Sequence, residues 1–479
     1  MSPVVHRRVE GPGFFLYSIL VVLWLPGCST TFGVYKPCMG RDFGGGSQVC
    51  VCNASYCDTI EPWLPMSQSR GRYVLYSTSK AGLRLERTIG WLLTKDNRTD
   101  DGKSSYEFGN TFFRSAELPL KVSKRRYQSI IGFGAAFTDA AGYNIVNLSE
   151  VNDITNGKLK LIGTPWTAPF WMKTNKNITG FGMLRFEYYQ VWADYFVRFL
   201  KEYRMQGVEF WGISTQNRPS KGLVESELSP SMGWTSRSMS QFISKYLGPT
   251  VHESPYKKLM IITVDDNRYS IPWTLYMSGM NNNETKKFVN GVGVQWYMDS
   301  LVPSENLDLC HELYPDLFII TTEAVNDLLN HKVQLGSWER AEQYAENIIE
   351  NLNHWVSGWL DWNIALDSDG GPCWHSSVAT DANIIINLTT DEFYKQPQFY
   401  AFGHFSKFIS EGSVRIYVET ETQSVLNVAF LAPDNSTIVI LYNPHDEIIP
   451  VEVKTPASDK TIVFSMPERS IHTIKYWSS

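Results

Sequence analysis

An excess of charge of either sign is the first thing this sequence lacks. Its 479 residues carry 43 lysines and arginines against 49 aspartates and glutamates, a formal net charge of −6. Nucleic-acid binding calls for a basic face, so that class is set aside. Long apolar runs are scarce too. One stands near the start, Phe14–Pro26 (FFLYSILVVLWLP), and it is too short to span a bilayer comfortably. No other stretch is long and apolar enough for a membrane span. Cysteine is sparse, at seven residues, but Cys38, Cys50, Cys52 and Cys57 fall within twenty positions of one another.

Apolar residues make up 43% of the chain and aromatics 14%, enough for large cores, and the length predicts two to four domains. The 16 tryptophans exceed what packing alone usually needs, and their faces suit stacking on sugar rings as well as filling an α/β core.

His6, Arg7 and Arg8 ahead of the apolar run, with Gly27, Cys28 and Ser29 after it, predict a secretory signal over residues 1–30. An uncleaved anchor is the alternative. Leu25–Cys28 also has the look of a bacterial lipoprotein site, against which the glycosylation sequons argue. Seven of these begin at Asn53, Asn97, Asn147, Asn177, Asn283, Asn387 and Asn435, and they point to the secretory pathway. In an exported chain the four clustered cysteines read as two disulfides, with zinc as the competing reading. Cys310 and Cys373 are expected to be unpaired and buried.

Strand-like patches occupy both ends. Arg72–Ser77 and Gly90–Thr94 lie early; Val414–Val418, Thr437–Tyr442, Val451–Lys454, Thr461–Phe464 and Ile471–Tyr476 lie late. They predict one β-sandwich built from both termini. The middle alternates apolar runs with helix-like segments such as Tyr188–Tyr203 and Glu339–Leu352, the α/β pattern. Seven runs end in polar or aromatic groups: Ser129–Gly134 with Asp139 beyond it, Leu159–Trp166, Val208–Arg218, Leu259–Asp266, Val292–Tyr297, Leu317–Glu323 and Trp355–Asn363. A closed (β/α)8 barrel needs eight such strands, and no eighth is found.

Strand ends of this kind face the active site of a barrel. Asn217 and Arg218 terminate one run before Pro219 forces a turn, and Glu323 emerges from another. A carboxylate there suits the nucleophile of a glycosidase; a surface glutamate at a loop start is the plain alternative.

Longer motifs add to this. Cys50–Asp58 (CVCNASYCD), Gly132–Ala141 (GFGAAFTDAA), Pro165–Pro169, Trp296–Tyr297, Leu335–Trp338, Gly358–Asn363, Phe393–Pro397 and Gly403–Phe408 occur in order along nearly the whole chain. In these it resembles the glucosylceramidase (acid β-glucosidase) family of retaining barrel hydrolases. The resemblance implies an α/β fold: a (β/α)8-type barrel, here short by one strand, plus an all-β sandwich and a small disulfide-stapled subdomain. It divides the chain into a leader at 1–30, the stapled subdomain at 31–61 with 364–395, the sandwich at 62–125 with 413–479, and the barrel at 126–363 with 396–412. It implies the pairings Cys38–Cys50 and Cys52–Cys57. The implied activity is hydrolysis of glucosylceramide to glucose and ceramide in the lysosome, at the membrane surface, without metal or other cofactor. An anionic lipid surface and a saposin-type activator are the implied partners.

By the same resemblance Glu323 falls on the nucleophile, and Trp166, Asn217, Trp296, Tyr297 and Trp362 fall on sugar-pocket positions. Three departures stand out. The family has Asn-Glu-Pro where this chain has Asn217-Arg218-Pro219, so Arg218 takes the place of the general acid/base. Arginine stays protonated and cannot exchange a catalytic proton. An ion pair with Glu323 is expected, which would blunt the nucleophile. The stretch between Asn147 and Leu161 is too short by roughly two βα units of about 30 residues each, and the lost segment carries a sugar-gripping aspartate. Finally, Gln295 replaces a pocket histidine, and Ser377 a pocket asparagine. Turnover is therefore expected to be impaired, and a catalytically dead relative that binds glycolipid or a partner is the alternative.

Overall fold

The computed structural model describes residues 17–22, 35–62, 71–93, 106–108, 111–113, 118–137, 159–271, 283–326, 333–373, 379–420, 424–455 and 460–477. Asp139, Ser377 and the short stretch after Asn147 lie outside the described residues.

Eight strands close a barrel: β1 Tyr17–Val22, β2 Gly132–Phe137, β3 Lys160–Pro165, β4 Gly212–Ser214, β5 Met260–Asn267, β6 Gly291–Gln295, β7 Phe318–Glu323 and β8 Val356–Asp361. Their order around the barrel is β1-β3-β4-β5-β6-β7-β8-β2, returning to β1. The seven strands β2 to β8 run parallel. Parallel strands covered on both faces read as nearly continuous apolar runs, as Met260–Val264 and Phe318–Ile320 do. Ala136, Ile162, Ile262, Ile320 and Leu360 fill the barrel interior as one cluster. A packed interior is what this architecture requires.

The sequence sets residues 1–30 aside as a leader and leaves the barrel one strand short. The structure fills the vacant place with β1, antiparallel to both neighbours. Tyr17–Val22 pairs along its whole length with Lys160–Pro165, and Ile19–Val21 pairs with Ala135–Phe137. The physical reason is plain: a missing strand leaves two unpaired edges, and a short apolar run can satisfy both. A leader removed on export takes β1 with it.

Two helices illustrate how the barrel is clothed. In α1, Tyr189–Met205, the residues Tyr189, Trp192, Ala193, Phe196, Phe199 and Leu200 form one buried stripe. In α2, Trp338–Asn353, the stripe is Trp338, Ala341, Tyr344, Ala345, Ile348, Ile349 and Leu352. A further helix, α3 Pro397–Ser406, starts with proline at its first position, where no backbone donor is lost.

The chain ends combine in a nine-stranded sheet, in which Ser470–Trp477 lies between Ser436–Asn443 and Arg72–Ser79. A bridge between Leu93 and Thr461 ties its outer regions together. The period-two rule separates its faces. Tyr73 and Leu75 join Val439, Leu441, Val453 and Ile462 in the sandwich interior. Val74 and Tyr76 point the other way and pack with Trp338, Tyr344 and Phe405 of α2 and α3. The sandwich is thus seated on the barrel's outer helices.

A five-stranded sheet joins Gly40–Asp42 and Gln48–Asn53 to Ala365–Asp367, Ile384–Asn387 and Glu392–Lys395. Disulfides link Cys38 to Cys50 and Cys52 to Cys57. Cys52, Cys57 and Asp58 form the one cluster of potential metal ligands among the described residues. Its two sulfurs are bonded to each other, so the zinc reading fails there. Cys310 is buried, whereas Cys373 is exposed, in a surface loop after Pro372, contrary to expectation.

Candidate active site

Glu323 is the last residue of β7 and is 6% exposed. Its backbone oxygen accepts from Trp296 N–H at 3.1 Å, which holds the two strand ends level. The Tyr297 hydroxyl donates to Glu323 Oε1 at 2.7 Å. Burial pushes the Glu323 carboxyl up to about 7, while the charge of Arg218 and the Tyr297 hydrogen bond pull it down.

Regular strand β4 spans only Gly212–Ser214, shorter than the sequence run suggests. The chain then leaves the ladder by steps. Thr215 N–H reaches Ile262 O at 2.9 Å, Asn217 N–H reaches Pro165 O at 2.9 Å, and Arg218 N–H reaches Asp265 O at 2.9 Å. Arg218 has φ 41°, in the left-handed region, and Pro219 completes the turn. Backbone ties to both neighbouring strands therefore fix residues 217 and 218 on the rim.

The expected ion pair between Arg218 and Glu323 does not form. The Arg218 guanidinium lies over the Tyr297 ring, 4.6 Å from its centroid. Tyr297 touches both groups, meeting the cation with its ring face and the carboxylate with its hydroxyl. With its amide oriented to satisfy both neighbours, the Asn267 oxygen accepts from Arg218 Nη2 at 3.3 Å.

Beneath this pair lies a polar layer. Gln295 Nε2 donates to Asn217 Oδ1 at 2.8 Å and lies 3.4 Å from Asp265 Oδ1. Ser214 Oγ and Thr322 Oγ1 each donate to Asp265 at 2.5 Å. Asp265 is fully buried, and burial raises its carboxyl. Gln295 is thus an amide link between Asn217 and Asp265. On β8, Asp361 accepts from the Tyr344 hydroxyl at 2.6 Å and from Asn383 Nδ2 at 2.8 Å. Burial pushes Asp361 up to about 8.

The aromatic residues divide into two groups. Trp166 and Trp362 stack on each other, with centroids 5.2 Å apart. Trp362 N–H donates to Ala324 O at 2.7 Å, next in sequence to Glu323. Trp296 instead donates its indole N–H to Val325 O at 3.1 Å and meets Tyr344 and Trp359 edge-on. Its ring contacts are those of a packing residue. Asp265, Asp361 and Lys221 are the groups the sequence reading did not single out. Both aspartates stand at the ends of predicted strands, which is the signal that could have found them. Lys221 is tied to Glu227 at 3.4 Å, and its ammonium is lowered mainly by burial and then by the charge of Arg218.

A carboxylate at a barrel strand end, steadied by a phenol, has the chemistry to attack an anomeric carbon. Arg218 cannot donate the proton that a retaining partner normally supplies.

Comparison with known proteins agrees with this architecture. Residues 151–409 match the glycosyl hydrolase family 30 TIM-barrel domain, and residues 412–474 match the beta sandwich domain of the same family. The lysosomal acid glucosylceramidase of Mus musculus is 34% identical over 536 aligned positions, covering 96% of this chain and 98% of that protein. The alignment is longer than the chain, so this chain carries gaps relative to that protein. Putative glucosylceramidase 3 of Caenorhabditis elegans is 32% identical, covering 89% of this chain and 92% of its own. Among solved structures, SrfJ from Salmonella typhimurium superposes with a TM-score of 0.72 at 19% identity, over 85% of this chain and all of that one, a likeness of fold.

Proposed function

The chain belongs to glycosyl hydrolase family 30, and on that footing we propose that it is a glucosylceramidase-like protein that recognises β-glucosides and keeps the retaining nucleophile, Glu323, without its proton-donating partner. The observation that carries this reading is Glu323 at the end of β7, held by Tyr297, with Arg218 at the facing strand end. Glu323 attacks the anomeric carbon and the glycosyl group passes to its carboxylate. With a leaving group that needs no proton, this step proceeds. With an alcohol aglycone such as ceramide it is slowed, since general acid help is worth about 10²–10⁴-fold.

Glucosylceramide is the natural ligand by likeness to the mouse relative. The leader-like start and the sequons support the secretory pathway, and likeness to the mouse lysosomal enzyme supports the lysosomal lumen. No described helix is long and apolar enough to cross a membrane, so peripheral association with an anionic lipid surface, aided by a saposin-type activator, is the form proposed. The raised Glu323 carboxyl makes the chemistry slow in an acidic lumen. Arg218 also supports a second reading, a relative that binds glycolipid or a partner without turnover.

The test is treatment with 2-deoxy-2-fluoro-β-glucosyl fluoride, followed by peptide mass mapping. A glycosyl adduct on Glu323, absent in Glu323→Gln, is the expected result. No adduct on the folded chain supports the binding-only reading.

A further inference from the structure

We propose that Arg218 fits this site to β-glucosides whose aglycone departs as an oxyanion, such as a carboxylate or a phosphate; the proposal rests on Glu323 being the nucleophile, as read above. The Arg218 guanidinium is one aromatic ring from Glu323, on the face of Tyr297 at 4.6 Å. Among the described residues no carboxylate forms an ion pair with it, and its buried Nε has no hydrogen-bond partner. The neighbouring cation, Lys221, is already matched by Glu227. The site therefore holds a guanidinium that no carboxylate among the described residues contacts directly, Glu323 acting on it only at longer range, where the leaving group of a retaining reaction departs. A half-buried guanidinium with open donors is a binding group for a planar or tetrahedral oxyanion.

The chemistry balances without a general acid. A carboxylate oxygen of Glu323 forms a bond to the anomeric carbon as the bond to the aglycone oxygen breaks. The electron pair stays on that oxygen, and Arg218 stabilises the anion electrostatically. An alkoxide is too basic to leave this way; a carboxylate or phosphate is not. The return step follows the same logic. Water at the anomeric carbon needs a base, which residue 218 cannot be. A carboxylate or phosphate acceptor needs none: its lone pair forms the new bond, the ester bond to Glu323 breaks, and the pair returns to Glu323. The site is then suited to moving a glucosyl group between acids.

The experiment compares β-glucosyl benzoate, β-glucose 1-phosphate and octyl β-glucoside on the full chain, its Arg218→Gln and Arg218→Lys variants, with fluoroglucosyl labelling of Glu323 as the check that each pocket is formed. The expected result is cleavage of the benzoate or the phosphate ester well ahead of the octyl glucoside. Arg218→Gln loses about 100-fold in kcat/KM on the favoured ester, and Arg218→Lys recovers part of it. The arm that is cleaved identifies the oxyanion as carboxylate or phosphate. Unchanged relative rates in Arg218→Gln, with Glu323 still labelled, overturn the proposal alone. Failure to label the unaltered chain overturns the nucleophile reading and this proposal with it.

Discussion

Tyr297→Phe isolates one atom of the site. The substitution removes the hydroxyl that donates to Glu323 at 2.7 Å and keeps the ring under Arg218. A hydrogen bond to a charged group is worth about 1.5–3 kcal/mol. At about 1.36 kcal/mol per pKa unit, its loss raises the Glu323 carboxyl by roughly one to two units. The direction follows from the site: burial already holds the group near 7, and the Tyr297 hydrogen bond opposes that rise. Only ionised Glu323 attacks, so the rising limb of the labelling rate against pH moves upward by the same amount. At pH below the limb, the variant labels about 10- to 100-fold more slowly; well above it the two chains converge. The assay is the rate of fluoroglucosyl adduct formation across pH, read by intact mass. A limb that stays in place, or moves to lower pH, refutes the assignment of Tyr297 as the group that holds Glu323 ionised.

Stability should also depend on pH. Glu323, Asp361 and Asp299 have folded values of about 7, 8 and 6, all raised by burial. Raised carboxyls bind protons more tightly folded than unfolded, so the contribution of these three groups falls as pH rises toward 8, by roughly 1.4 kcal/mol per unit per group in its window, while buried His404 and His472, both held below the usual imidazole range, oppose it only below about pH 6.5. Thermal melts at about pH 6.5 and pH 8, above the window of those histidines, check this; a higher midpoint at pH 8 contradicts it. A chain lacking residues 1–30 loses β1, which bridges β2 and β3, and should melt at lower temperature and bind a hydrophobic dye; an unchanged melt contradicts the closed barrel. Gly358→Ala places a Cβ 2.6 Å from Gly132 O on the adjoining strand, so a clear loss of melting temperature is expected, and none would show that the β8–β2 contact can give way.

Much of the architecture is legible before any coordinates. The parallel strands announce themselves because burial on both faces demands apolar runs, and Glu323 stands where such a run ends. The helices α1 and α2 are visible in their stripes. The inward turn of Asp265 is not. It depends on a register shift between Val264 and Asp266, with φ of 70° and 46° at Val264 and Asp265. Nothing in the residues Val264-Asp265-Asp266 marks a bulge. The missing ion pair is illegible for a related reason. Opposite charges on one rim suggest an ion pair, but Arg218 settles on the face of Tyr297 instead, and pairwise charge logic does not see a competing ring. Strand β1 escapes because its composition suits export and pairing equally, and only the vacant place in the barrel favours pairing.

The most direct test of a nucleophile without a proton donor is a pre-steady-state comparison on one sample. With 2,4-dinitrophenyl β-glucoside, a burst of about one equivalent of dinitrophenolate per chain should precede slow release, while octyl β-glucoside gives no burst and little turnover. Equal, rapid turnover of both glucosides contradicts the account, as does the absence of a burst from a folded chain.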